Sequence, residues 1–367
     1  MQQTVRLAIR QLAPVLIAAF LIYLFGLSSA LVERLYSNGI YPLIAVTLRT
    51  ISRIFPFPLG DVLYLLLIAF VLWKVVLLIR KGIQRKLLKA DRIRIPVAII
   101  KFILILYIAF KILWGLNYSR EPINKQLGIG EEKYSNTELL SLATYLIRDI
   151  NDIQIKRTPH LQRTYSTKEL QSTAVASYIQ LAAKNNFFNY PQPVVKDVLN
   201  SWFITKVGLE GYYSPVSAEA NLNRRIPAVN HPFVACHEIA HQLGIGREDE
   251  ANLIGYLAAS NSPDFNFKYS ADYAVLKNVL FEVRIKMPES YEKLIKTLNP
   301  GTRTDFKKDR DFWMSYDSDM YLYMEVAFDK FLKLNNQDKG IDSYQDIVIW
   351  LFNIHKKEIQ AVAPATN

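Results

Sequence analysis

A single cysteine, Cys236, stands among 367 residues, so no disulfide can form within the chain and cysteine usage leaves the redox compartment open. Histidine is nearly as scarce: there are five, and two of them lie four residues apart. No internal repeat or low-complexity tract interrupts the chain. Acidic residues are outnumbered, 33 against 44 Lys and Arg, for a net charge of +11. That excess does not point to nucleic acid. It is concentrated in the N-terminal third beside apolar runs, whereas a nucleic-acid binder interleaves charge with aromatics on a soluble face. The length permits two domains or one large one.

Charge is nearly missing from three stretches of the first 117 residues. Residues 12–31 carry none, and about twenty such residues cross a hydrocarbon core. Residues 62–79 form a second stretch with Lys74 near one end, and residues 95–116 a third with Lys101 and Lys111 placed to snorkel. Arg6 and Arg10 before the first stretch and Ser-Ser-Ala within its end resemble a signal sequence. Its length and continuation into Val32 and Leu35 favour an uncleaved anchor. Arg80, Lys81, Arg85, Lys86, Lys89, Arg92 and Arg94 against one Asp91 mark the second connection as cytoplasmic. The N-terminus is then inside, and everything after Trp114 lies outside the cytoplasm. Residues 41–53 read as an amphipathic piece at the outer surface, ended by Pro56 and Pro58.

From Asn117 the composition becomes mixed. Ser135 with Glu138 and Ser166 with Glu169 have capping-box spacing, each followed by helical periodicity, with residues 152–165 as a polar connector. Pro191 and Pro193 interrupt the chain. The segment from Gly211 through Asn223 reads as extended, a small strand element suited to holding a peptide by main-chain pairing. Residues 269–286 and 320–331 are expected helices.

Chemistry is concentrated at His237-Glu238-Ile239-Ala240-His241. On a helix the i, i+4 spacing puts both imidazoles on one face, where they can reach one metal ion, with Glu238 about a quarter turn away. Two nitrogen donors, a carboxylate that can take a proton from water and a further acidic ligand are what metal-assisted hydrolysis needs. Pro232 suits a first turn, Asn230 or His231 a cap, and Gly244 a stop. Cys236 reads as a small buried neighbour rather than a ligand. His160 and His355, in polar sequence, carry no expected role.

Glu248 and Glu250 compete as third ligand, against the plainer role of complementing a helix dipole. Glu248 shares its helical face with Ala251, Asn252, Gly255 and Ala259, small residues that permit close packing on the histidine helix. Glu250 shares its face with Leu253, Ile254 and Leu257. Phase favours Glu248, with Glu250 the alternative, and Asn252 is placed to orient a ligating imidazole. Tyr212, Tyr213 and His231 are candidate oxyanion stabilisers beside their plainer roles in packing and capping.

The run Glu248-Asp249-Glu250-Ala251-Asn252 resembles the second zinc helix of several zincin metalloprotease families, in which the first glutamate is the ligand. The connection 242–247 is shorter than most of those use. More broadly, residues 42–61, Trp114 through Arg120, Gly211-Tyr-Tyr-Ser-Pro215, the stretch 237–252 and Gly340 through Tyr344 are similar to the bacterial membrane proteins grouped as domain of unknown function 3810. That resemblance implies a mainly α protein of the bacterial cytoplasmic membrane: three transmembrane helices in residues 1–117, then a mostly helical zincin-like α+β domain, 118–367, outside the cytoplasm. The expected activity is zinc-dependent hydrolysis of peptide bonds in an envelope substrate, with Zn²⁺ on His237, His241 and Glu248 and Glu238 as general base. The alternative is a non-catalytic zinc-containing module that binds or senses an envelope component.

Overall fold

The computed structural model describes residues 2–157, 164–316, 319–335, 337 and 346–362. It is mainly helical with one small sheet, and it divides into two units.

The first unit comprises residues 1–120 with the turn 214–218. Helices α1 (Gln2–Gly26), α2 (Tyr41–Ser52), α3 (Leu59–Ile83) and α4 (Asp91–Leu113) carry it. Three helical stretches, Val5–Gly26, Leu59–Ile83 and Asp91–Leu113, are long and apolar enough to cross a membrane, and most of their side chains face outward.

Two spans end earlier than expected. The first helix stops at Gly26 instead of running to residue 31 and on into Leu35. Ser28 leaves helical geometry and its hydroxyl accepts the Leu31 N–H, starting a new turn that continues as a π-helix, Val32–Ile40. That irregular segment is held by polar bonds. Arg120 pairs with Glu33 at 2.6 Å, the Ser37 hydroxyl donates to Asn117 at 2.9 Å, and the Tyr36 hydroxyl donates to the Ile112 carbonyl at 2.9 Å.

The third helix ends at Leu113 rather than 116. Trp114 takes φ −161°, ψ −37°, and a 3₁₀ turn, Gly115–Ser119, follows. A side chain at position 115 would lie 2.4 Å from the Phe110 ring, so the tight exit requires glycine. Lys111 does not snorkel as expected. It is buried and donates to the Gly115 carbonyl at 3.4 Å, meeting one of the acceptors a helix end leaves open. Along α2, Tyr41, Ala45, Arg49 and Ser52 turn inward at helical spacing while Leu43 and Ile51 face out.

The second unit holds the larger core, residues 121–213 and 219–367. Both capping boxes form. Ser135 and Glu138 exchange bonds ahead of α5 (Asn136–Arg157), and Ser166 and Glu169 do so at the start of α6 (Thr167–Ala182). Residues 152–157 are not a connector but the last turns of α5. Ile153 is buried, and the Arg157 guanidinium lies 3.9 Å from the Tyr269 ring centroid, so tertiary contacts keep a polar run helical. The rest of the expected connector includes His160, which lies outside the described residues.

The sheet has three strands, β1 (Val195–Asp197), β2 (Gly211–Ser214) and β3 (Glu219–Leu222), in the order β1-β3-β2. β1 runs parallel to β3 with Val195 opposite Ala220 and Asp197 opposite Leu222. All four side chains of β3 are buried, and Glu219 is neutralised by Lys196 at 2.6 Å. Against β3 packs α7 (His231–Gln242), and against α7 lies α8 (Glu248–Ser260). Next comes α9 (Phe265–Lys286), started by Asp264, whose side chain accepts the Asn266 N–H. It packs on α5, α7 and α8. Then follow α10 (Pro288–Thr297), α11 (Pro300–Tyr316), α12 (Asp319–Leu334) and α13 (Asp346–Ile354).

Candidate metal centre

α7 starts at His231-Pro232, where the missing proline N–H costs nothing. Asn230 holds the cap position, but its side chain donates to Asp309 at 2.9 Å instead of capping the helix. At the other end Gly244 takes φ +83°, a conformation glycine adopts without penalty, and the Ile245 N–H returns to the Ala240 carbonyl. This turn also aims the Ile245 carbonyl at the His241 ring, 2.7 Å from Nδ1. A carbonyl only accepts, so Nδ1 carries the proton and Nε2 of a neutral His241 presents a bare lone pair.

The chain reverses within residues 242–247 and enters α8 at Glu248. Gly255 lets the two helices touch: a Cβ there would fall 3.1–3.3 Å from the backbone N, Cα and Cβ of His237. At that approach three donor atoms converge. Nε2 of His237 and Nε2 of His241 are 3.1 Å apart, and Oε2 of Glu248 is 3.2 Å from the first and 3.6 Å from the second. Donors about 2.0–2.1 Å from a tetrahedral zinc ion stand about 3.3–3.4 Å from one another. The residues therefore fit such an ion, and they form a candidate metal-holding group among the described residues.

Electrostatics point the same way. Burial opposes charge on His241, yet the neighbouring Glu248 carboxylate overcomes it and lifts the imidazole to about 9. Burial would raise Glu248, but His241 and His237 hold it well below the usual carboxylate range. His237 is lowered, chiefly by burial. A pocket that draws a proton to this point has the negative potential that also attracts a cation.

Glu250 is directed elsewhere. Its Oε1 accepts the Ile123 N–H at 3.0 Å and faces Arg247 at 3.7 Å. Asn252 lies beside His237 and nudges its pKa upward, but His237 Nδ1 has no partner in hydrogen-bonding geometry. Cys236 is buried, its thiol pushed up by burial, and its carbonyl accepts the Tyr178 hydroxyl at 2.7 Å; it is not one of the converging donors.

Glu238 is buried next to this cluster. Burial first, then Glu248 and Glu210, push its carboxyl up to about 8, with His241 pulling the other way. One oxygen, Oε2, has no hydrogen-bond partner. The other is passed closely by strand β2: a Cβ on Gly211 would lie 2.7 Å from Glu238 Oε1 and 2.9 Å from the Asn221 carbonyl. Gly211 is thus the residue that admits the carboxylate, and Tyr213 shares its face of the strand while Tyr212 points to the other. His231 sits six residues, about 9 Å, up the helix from His237. Burial and Arg224 lower it to about 4 while the carbonyls of Ile226 and Arg224 pull it up.

Sequence reading did not single out the Ile245 carbonyl or Gly211. The first is backbone and has no residue signature. The second carries the signal of a glycine opening a strand, which marks close approach of another group. His355 packs against Tyr145, with ring centroids 4.9 Å apart and planes tilted by 38°, and bonds the Tyr256 hydroxyl at 2.7 Å. Its surroundings include two tyrosine rings, with the Glu358 carboxylate near enough to act on it.

A family model described as protein of unknown function (DUF3810) matches residues 36–352. The chain belongs to this family. Comparison with curated proteins and with solved structures returns no match. The span shared with DUF3810 includes α7, α8, strand β2 and two of the three membrane-length helices. It also includes Gly340 through Tyr344, which lie outside the described residues.

Proposed function

We propose that the protein is a membrane-anchored, zinc-dependent peptidase with a zincin-like catalytic domain. The observation that carries this reading is the convergence of two Nε2 atoms and one carboxylate oxygen, 3.1–3.6 Å apart, beside a buried carboxylate with an unpartnered oxygen. His237, His241 and Glu248 would hold Zn²⁺. When bound there, the ion supplies Lewis acidity toward water and toward the carbonyl of a peptide substrate.

The chain's own residues do the rest. Glu238 takes a proton from the attacking water and delivers it to the departing amine, a role favoured by burial that brings its pKa near the working pH. The Ile245 carbonyl keeps His241 in the tautomer that leaves Nε2 free to coordinate. Gly211 keeps the neighbouring strand from covering Glu238 with a side chain. Of the candidates for a fourth protein ligand, Cys236 is not among the converging donors and Glu250 bonds the Ile123 amide. Three protein ligands are the number a catalytic site uses, whereas a purely structural zinc is normally closed by four.

Metal analysis of the full-length protein tests the ligand set. About one zinc per chain is expected for wild type and for Glu250→Ala, with affinity reduced at least 10–100-fold in Glu248→Ala. Metal-free wild type, or loss confined to Glu250→Ala, refutes this assignment.

In the same reading the protein is a multi-pass resident of the bacterial cytoplasmic membrane, its second unit outside the cytoplasm and its substrate a peptide or protein of the envelope. The basic cluster after α3 supports that sidedness. Alkaline phosphatase fused after Tyr118 is expected to be active. An inactive fusion, with a cytoplasmic reporter active at the same site, reverses the orientation.

A further inference from the structure

Helix α12 (Asp319–Leu334) carries more exposed apolar surface than a soluble face requires. Met320, Tyr323, Met324, Phe331 and Leu334 recur at i, i+3, i+4, i+11 and i+14, which is one side of a helix, and all five are exposed. Leu322 and Val326 are exposed as well but lie on the side of Asp329 and Lys333, outside that apolar surface. Glu325, Asp329 and Lys333 lie on the other side, the last two paired at 2.8 Å. Among the described side chains of the helix, Leu332 is fully buried.

We infer that α12 lies in the membrane–water interface with the Met320–Tyr323–Met324–Phe331–Leu334 side sunk among lipid. Three features select a bilayer over a protein partner. The same chain bears three helices of membrane-crossing length, so lipid is present at high effective concentration. The helix's ionic groups, Asp319, Glu325 and Asp329 against Lys330 and Lys333, nearly cancel, so no charge pattern selects a complementary protein surface. The exposed set of Met, Phe, Leu and a tyrosine is what an interfacial helix presents to acyl chains and headgroups. The inference rests on the membrane-anchored reading above and adds an interfacial helix to it.

The test uses full-length protein in phosphatidylcholine nanodiscs. Cys236 is buried and is the only native cysteine, so wild type should take up no nitroxide label, and an introduced cysteine is labelled alone. Tyr323→Cys and Leu334→Cys, at positions 76% and 82% exposed, perturb no packing; Glu325→Cys reports the opposite side. Labels at 323 and 334 should collide with oxygen in preference to a water-soluble nickel chelate, and the label at 325 the reverse. Equal access of the chelate to all three positions overturns the inference. So does shielding of 323 and 334 from both reagents, the signature of a covering protein or second copy. A chain that fails to enter nanodiscs defeats both the anchor and the interfacial helix, whereas entry with chelate-accessible labels defeats the helix alone.

Discussion

Glu238→Gln is expected to keep wild-type zinc content and lose peptide hydrolysis by about two to four orders of magnitude. Glutamine preserves the shape of the side chain, so the donor triangle of His237, His241 and Glu248 should stand unchanged, since none of its contacts runs through Glu238. What disappears is a group able to take a proton. The exchange also removes an ionisable group from a site where burial disfavours its charge, so the thermal midpoint should stay level or rise. The readout is paired: metal content by elemental analysis, and cleavage of a diverse peptide library followed by mass spectrometry. Hydrolysis at the wild-type rate would remove Glu238 from the mechanism. Loss of zinc together with activity would make it a structural support of the site.

The second large effect should come from a residue with no functional group. Gly255→Val is expected to lower stability by about 1–3 kcal/mol and to weaken the proposed zinc binding. A bare Cβ at 255 already meets the His237 backbone N and Cα at 3.1 and 3.2 Å, so alanine requires a shift of a few tenths of an ångström and valine considerably more. Both partners are helix backbone and cannot rotate aside; α8 must retreat from α7. Because Glu248 reaches the imidazoles from the first turn of α8, its oxygen retreats too, and a coordinating group tolerates only about 0.5 Å of such error. Gly255→Ala should lie between wild type and Gly255→Val in both thermal midpoint and zinc affinity. A valine variant that melts and binds zinc like wild type would show that helix contact does not set the donor geometry.

These two positions illustrate how differently the site could be read. His237, Glu238 and His241 were legible because helix periodicity is local: four residues place two imidazoles on one face whatever surrounds them. The proposed third ligand was only half legible. Glu248 and Glu250 lie about 200° apart around α8, and phase cannot say which side meets α7 until the helices are packed. In the structure Glu248 meets the imidazoles and Glu250 bonds the Ile123 amide. The Ile245 carbonyl could not have been found, because every residue has one.

The same division runs through the fold. Capping boxes at Ser135 and Ser166 and the apolar character of the three long helices depend on neighbours in sequence, and they were readable. Helix ends set by remote groups were not. Hydropathy sums composition and does not register Ser28 starting a new turn or the Phe110 ring crowding Gly115. β1 is three residues long and its parallel partner β3 is more than twenty residues away, so no local alternation announces it.

The sequence by itself determined which residue types could do chemistry, where two capping boxes start helices, and which three segments are long and apolar enough to cross a membrane, since each depends on spacing within a few turns of chain. Tertiary structure alone decided which acid joins the two imidazoles, which carbonyl orients one of them, and which glycines admit a strand and a helix to the site. Those are contacts between segments distant in sequence, and their geometry exists only once the elements have packed.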